Sequence, residues 1–149
     1  MDVQRRRSWG DPAAATAGPD PRHLSRTIGA LMLVAAVTLL AASAIHFGLS
    51  LPLGPVTLHD PFAGAAIPEA VLGVVLTVGA GFVLTGWSGR WTAALATALF
   101  TLLVTLYGLS ITVSGGRTGD VAYHLVLLSM LVILVGLLLS SPGRRALRA

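Results

Sequence analysis

Four long apolar stretches make up most of the chain. They cover residues 28–49, 67–87, 91–113 and 121–140, and each is close to the roughly 20 residues that an α-helix needs to cross a bilayer. The first linker between them is long and broken by Pro52, Pro55 and Pro61, whereas the second is only the three residues Ser-Gly-Arg. The pattern predicts an all-α fold, an integral membrane four-helix bundle packed up-down-up-down.

The segments outside these spans are basic. Residues 1–27 contain five arginines and three prolines and have too few apolar side chains to fold, so they are expected to form a disordered cytoplasmic tail. Residues 142–149 form a second basic tail in this interpretation. The membrane domain then covers residues 28–141.

The first span also has features of a cleavable signal peptide. Basic residues precede an apolar core, and Ala-Ser-Ala at residues 42–44 is a candidate cleavage site. The apolar run, however, continues through Leu49 and Leu51. This length favours a full membrane span.

Composition agrees with a membrane protein. Apolar residues make up 54% of the chain and charged residues 11%, with a mean hydropathy of +0.81, whereas soluble domains carry about 25% charged residues. The absence of cysteine excludes disulfides, thiolate metal sites and thiol catalysis. The basic residues are all arginines at the ends of apolar runs, which argues against a nucleic-acid partner. The expected partner is the lipid bilayer, and other membrane subunits or a second copy of the chain remain open.

The arginines also predict the orientation, because cytoplasmic loops are enriched in Arg and Lys. With the N-terminus inside, only Arg117 lies in an outer segment. The inner segments carry Arg5, Arg6, Arg7, Arg22, Arg26, Arg90, Arg144, Arg145 and Arg148. The sequence therefore predicts a multi-pass protein of the plasma (inner) membrane with both termini in the cytoplasm.

Ionisable residues inside the spans are the candidates for function, since they are costly to hold in lipid. His46 lies near the outer end of span 1, Glu69 at the outer start of span 2 and His124 near the outer start of span 4. In an up-down bundle, span 1 neighbours spans 2 and 4, so these three side chains are expected to converge at one depth. They are the predicted ligand-binding or metal-binding residues.

Further polar residues on the same side are supporting candidates. They are Asp120, His59, Asp60 and Tyr107. Asp120 precedes His124 by four residues and shares its helix face, so its carboxylate is expected to orient the imidazole. Tyr123 is expected to point elsewhere, about 100° around the helix.

Span 3 carries a stripe of threonines. Thr97, Thr101, Thr105 and Thr112 share one face at spacings of four and seven residues. Because threonine hydroxyls can bond carbonyls of their own helix, this stripe is expected to serve helix packing.

Three functions fit the outer cluster. Histidine and carboxylate ligands suit zinc, iron or copper, so a divalent metal is the candidate cofactor, although metal spacing within one helix, such as His-x-x-x-His, is absent. Without a metal, the same groups could bind a small ligand, and the favoured interpretation is a non-enzymatic binding protein or accessory subunit. The alternatives are a metal- or quinone-linked membrane oxidoreductase and a purely structural or interaction module.

Short motifs around these residues carry a resemblance to known membrane proteins. They are AIHFG at 44–48, AAIPEAVLG at 65–73 and YHLVLL at 123–128. With these motifs the chain resembles the small four-helix membrane proteins common in actinobacteria, and more distantly the DoxX-like four-helix proteins. The first resemblance implies a fold without a defined activity. The second implies only a loose link to redox or membrane-complex roles.

Overall fold

A computed structural model of the chain describes residues 20–115 and 118–148. Over this part the chain forms five helices and one two-stranded hairpin, namely α1 (Pro21–His46), β1 (Leu51–Leu53), β2 (Val56–Leu58), α2 (Ala63–Thr85), α3 (Arg90–Gly115), α4 (Thr118–Leu139) and α5 (Ser141–Arg148). The disorder predicted for residues 1–19 and the outer-loop position of Arg117 fall outside the described residues.

Helices α1 to α4 are each long and apolar enough to cross a membrane, which confirms the prediction of four such helices. Their buried faces meet in one core that includes Met32, Leu76, Leu131 and Leu134. Other large apolar side chains on the same helices are exposed, such as Val37 and Val126 at 63% and 71%. Apolar residues on both the buried and the exposed faces are typical of helices surrounded by lipid.

Glycines bring the helices close together. A Cβ atom on Gly73 of α2 would lie 2.6 Å from Cγ of Leu40 on α1. A Cβ atom on Gly79 would overlap the Thr97 hydroxyl of α3 and would lie 2.7 Å from the Met32 methyl of α1. These small residues therefore set the separation of α1, α2 and α3, as is common in membrane helix packing.

The first helix begins earlier than the sequence interpretation places it. Asp20 caps α1 by accepting a hydrogen bond from the Arg22 amide at 2.9 Å, and Pro21 occupies the first helical position. An aspartate cap followed by proline is a strong helix start. Residues 21–27 therefore belong to α1 and not to a disordered tail.

The described part of the C-terminal segment is also helical. Helix α5 starts where the Ser140 hydroxyl accepts a hydrogen bond from the Gly143 amide at 3.1 Å, and it buries Ala146 and Leu147. The arginines suggested a tail, but these two apolar side chains give the helix a buried face. Helix α5 contacts α1, α3 and α4.

The proline-rich first linker contains structure that was not predicted. Strands β1 and β2 pair antiparallel, with Leu51 opposite Leu58 and Leu53 opposite Val56. Gly54, at φ 63°, supplies the positive dihedral angle that a two-residue hairpin loop requires. Proline is tolerated in this ladder because each strand of a two-stranded sheet is an edge strand.

Candidate functional site

The three predicted residues line one cavity of about 440 Å³. It lies at the end of α1, the start of α2, the end of α3 and the start of α4. We call it the His46 cavity. Its wall is mostly apolar, with contributions from Leu39, Leu72, Val104, Ile111 and Leu127, and its polar side chains include His46, Glu69, Thr105, Tyr107, Thr112, Asp120, Tyr123 and His124.

His46 and Glu69 form a buried hydrogen-bonded pair. The distance from His46 Nδ1 to Glu69 Oε2 is 2.6 Å, and the two side chains are 7% and 6% exposed. An ionised carboxylate only accepts hydrogen bonds, so with Glu69 ionised His46 Nδ1 is the donor. In the neutral imidazole, Nε2 then keeps the lone pair that could bind a metal ion.

Local contacts hold this pair in place. Ser43, one turn before His46, donates from its hydroxyl to the carbonyl of Ala66 at 2.7 Å. The Phe62 amide donates to the His46 carbonyl at 2.9 Å, and the Phe62 ring stands edge-on to the imidazole, with the ring centroids 6.0 Å apart. The end of α1 is therefore fixed against the start of α2 on both sides of the imidazole.

His124 is oriented by a backbone group. Its Nδ1 lies 2.7 Å from the carbonyl oxygen of Asp120, so Nδ1 donates and Nε2 is the acceptor. The sequence suggested that the Asp120 carboxylate could orient the ring, and the group bonded to Nδ1 is the backbone carbonyl of the same residue. Nε2 faces Gly108 of α3, where a Cβ atom would lie only 3.0 Å away.

The group best placed to bind a metal differs from the predicted one. One potential ligand atom each from His46, Asp60 and Asp120 lie within 4.8 Å of one another. The predicted triad was His46, Glu69 and His124, but Glu69 instead holds the ring of His46 through Nδ1. Asp60, a supporting candidate between β2 and α2, reaches this group because the chain returns there to start α2.

Two supporting candidates have different positions. His59 is exposed on the segment after β2, and its Nδ1 lies 2.9 Å from the Ser50 hydroxyl. Tyr107 lines the His46 cavity, although 67% of the residue is exposed. The structure therefore brings Tyr107, but not His59, to the cavity.

Tyr123 and Thr105 line the cavity in roles that were not predicted. Each hydroxyl is buried and has no hydrogen-bond partner among the described residues, and the same holds for Glu69 Oε1. Tyr123 was expected to point away from His124, but the two rings are in edge contact at 5.4 Å, because the cavity covers more of α4 than one face. A tyrosine beside a partly buried histidine is a usable signal, since a tyrosine hydroxyl that is buried needs a hydrogen-bond partner.

Comparison of the chain with protein-family models, curated proteins and solved structures finds no match. A function for the chain is therefore inferred from the geometry of the His46 cavity and the apolar character of the helices.

Proposed function

We propose that this chain is a multi-pass protein of the plasma membrane, with its helices in up-down-up-down order and both termini in the cytoplasm. The four apolar helices support the membrane location. The described arginines lie at the start of α1, at the start of α3 and in α5, and the Arg90 guanidinium bonds the Leu147 carbonyl of α5. Arginines gathered at one end support a cytoplasmic position for that end.

The absence of cysteine makes this orientation directly testable. Ser50→Cys lies beside the hairpin and Ser88→Cys lies in the turn between α2 and α3, and both positions are exposed. A membrane-impermeant maleimide should label Ser50→Cys in intact cells and Ser88→Cys only after lysis. The reverse pattern would contradict the proposed orientation.

Within this membrane protein, the His46 cavity binds a divalent metal ion. The observation that carries the proposal is the group His46, Asp60 and Asp120, whose ligand atoms lie within 4.8 Å of one another. Zinc bonds of about 2.0–2.2 Å hold tetrahedral ligand atoms roughly 3.4 Å apart. Side-chain rotations that move the ligand atoms by about 1 Å would therefore bring all three within bonding distance of one ion.

Glu69 contributes to this site without being a ligand. Metal-binding histidines usually donate their other ring N–H to a carboxylate, which fixes the tautomer and raises the basicity of the ligand. The 2.6 Å bond from His46 to Glu69 supplies this arrangement. Burying the Glu69 carboxylate costs desolvation free energy. Support of a metal-binding histidine would be a reason to keep it buried.

Charge also favours a cation. Glu69 and Asp120 line the cavity and Asp60 lies beside it, whereas no arginine is among the described residues that line it. Carboxylate oxygens and imidazole nitrogens are both ligands that divalent metal ions accept. The acidic side chains would also attract a cation electrostatically.

A small organic ligand is the second candidate. Its support is the set of three buried polar atoms without described partners, namely Glu69 Oε1, Thr105 Oγ1 and the Tyr123 hydroxyl. The cavity volume of about 440 Å³ lies within the usual range of ligand pockets, roughly 300–1,000 Å³. A molecule with an apolar body and a hydrogen-bonding head would fit, either alone or at an open position of the metal.

Two further functions remain alternatives. A metal- or quinone-linked oxidoreductase would use the same side chains. Absorption of the purified protein between roughly 400 and 600 nm would reveal a bound haem or flavin. A structural module would use the His46–Glu69 pair only to brace α1 against α2. The relationship to small actinobacterial four-helix proteins, and more distantly to DoxX-like proteins, also stays a proposal, as does assembly with other subunits.

The metal proposal is tested by zinc titration of the detergent-purified protein after chelation. The parent should bind zinc in equimolar amount, and His46→Gln, Asp60→Asn and Asp120→Asn should each weaken binding by more than about tenfold. His59→Gln is the matched control because His59 neighbours Asp60 but is exposed and bonded to Ser50. A parent without zinc affinity, or a control that loses as much as the three variants, would contradict the proposal.

A further inference from the structure

A second cavity, of about 580 Å³, lies at the ends of the helices away from His46. It is formed by the start of α1, the end of α2, the start of α3 and part of α5. Three arginines line it, Arg22 and Arg26 from α1 and Arg90 from α3. We call it the arginine groove. It shares no lining residue with the His46 cavity.

Arg90 is held in position by α5. Its Nε donates to the Leu147 carbonyl at 3.0 Å and its Nη2 to the Ala146 carbonyl at 3.4 Å. A guanidinium has more N–H donors than these two bonds use. A half-buried arginine whose orientation is fixed loses little entropy when it binds an anion.

Arg22 and Arg26 face the groove together. They are four residues apart on α1 and therefore share a helix face, and the hydroxyl-bearing Ser25 lies between them in the lining. Asp20 also lines the groove, but its carboxylate accepts the Arg22 backbone N–H as the helix cap. Three arginines against one aspartate leave a net charge of +2 in the groove.

The groove also has an apolar side. Val83 is buried, and Leu84 at the end of α2 is 47% exposed. Two tryptophans lie at the same end of the bundle. Trp91 donates to the Leu138 carbonyl at 2.9 Å, and Trp87 is exposed. Tryptophans mark the level of lipid headgroups, so the arginines lie where phosphates occur and Leu84 where acyl chains begin.

We propose that the arginine groove binds the phosphate headgroup of an anionic phospholipid. Guanidinium groups pair with phosphate oxygens through two parallel hydrogen bonds, and basic pockets between membrane helices on the cytoplasmic side bind such headgroups. The exposed Leu84 gives the first part of an acyl chain an apolar surface, which a free phosphate ion would not use. This inference rests on the proposed membrane location but not on the proposed metal site.

Native mass spectrometry of the full chain in an uncharged detergent tests the proposal. The protein is incubated with phosphatidylglycerol and phosphatidylcholine that carry the same acyl chains. The parent should retain phosphatidylglycerol preferentially. The double variant Arg22→Gln/Arg26→Gln should reduce that retention roughly thirtyfold, from about 1 kcal/mol for each arginine at the membrane surface.

The matched control is Arg144→Gln/Arg145→Gln, which removes the same charge from exposed positions of α5 outside the groove. It should change retention less than about threefold. Equal retention of both lipids, or equal losses in the two double variants, would overturn the proposal. Thermal melting of both variants checks that the fold is intact, since all four arginines are exposed.

A further arm separates a lipid from a free phosphate. Excess inorganic phosphate or glycerol phosphate should leave most of the bound phosphatidylglycerol in place, because neither has acyl chains. Complete displacement by either would identify a phosphate site and overturn the lipid assignment. A chain that does not integrate into membranes would contradict the proposed membrane location. A chain that integrates but retains both lipids equally would contradict only the lipid site.

Discussion

Replacement of Glu69 separates a metal-supporting role from a bracing role. Glu69→Gln keeps the shape of the side chain and leaves an amide oxygen that can accept the hydrogen bond from His46 Nδ1. Glu69→Ala removes the acceptor of a bond that is 2.6 Å long and buried. Ser43→Ala is the matched control because it removes another buried bond between α1 and α2, to the Ala66 carbonyl, without touching the His46 cavity.

The expected changes in the free energy of unfolding follow from these contacts. A hydrogen bond to a charged group contributes about 1.5–3 kcal/mol in soluble proteins, but bonds between membrane helices average about 0.6 and reach about 1.7 kcal/mol. With the helices in a membrane, as we propose, the reference state also finds partners, and the membrane values apply. Glu69→Ala should therefore lose about 1–2 kcal/mol, and Glu69→Gln and Ser43→Ala each less than about 1 kcal/mol.

Zinc affinity should follow a different order from stability. Loss of the carboxylate behind a histidine ligand typically lowers metal affinity by about 10–100-fold, so both Glu69 variants should lose this much. Ser43→Ala should lose less zinc affinity than either Glu69 variant, because it removes a contact one turn from His46 but no group bonded to the imidazole. Unfolding in mixed detergent micelles and zinc titration give the two quantities. A Glu69→Gln variant with the zinc affinity of the parent would refute the supporting role, and one as unstable as Glu69→Ala would identify a brace.

Two glycine substitutions in α2 test how closely it packs against α3. Gly79→Ala should lower the free energy of unfolding by about 1–2 kcal/mol, because the new methyl would overlap the Thr97 hydroxyl. In Gly81→Ala the new methyl meets nothing within 4 Å, and the variant should gain up to about 1 kcal/mol. Equal changes of the two variants in thermal melts would contradict the close packing of α2 on α3. In Gly143→Ala the new methyl would overlap the Leu137 carbonyl, so α5 should separate from α4 and become open to limited proteolysis. An α5 that stays protected in this variant would contradict the close contact between α5 and α4.

The helices were predictable because lipid imposes a strong constraint. A membrane helix must satisfy its own backbone and present apolar side chains to lipid, and both needs are visible as long apolar runs. The boundaries were less predictable, since Asp20 and Pro21 act through capping and not through hydropathy. Helix α5 was not predicted because its apolar face consists of only Ala146 and Leu147, and the rest of the segment is rich in arginine.

The site was predictable only as far as helix neighbours determine it. The convergence of His46 with Glu69 follows from placing the end of α1 beside the start of α2. The position of Asp60 does not, because it depends on a hairpin that returns the chain to the cavity. The orientation of α4 about its own axis brings Tyr123 to the wall of the His46 cavity. This orientation depends on packing against three other helices and cannot be read from the spacing of residues within α4.

The proposed metal ion in the His46 cavity is bound by one imidazole and two aspartates. X-ray absorption at the zinc edge, on protein loaded with equimolar zinc, counts imidazole ligands and gives their distances. We expect nitrogen and oxygen ligands at about 2.0–2.2 Å, one imidazole among them, and an unchanged spectrum in His124→Gln. A spectrum with two imidazoles, one of them lost in His124→Gln, or one with water ligands alone, would contradict this ligand set.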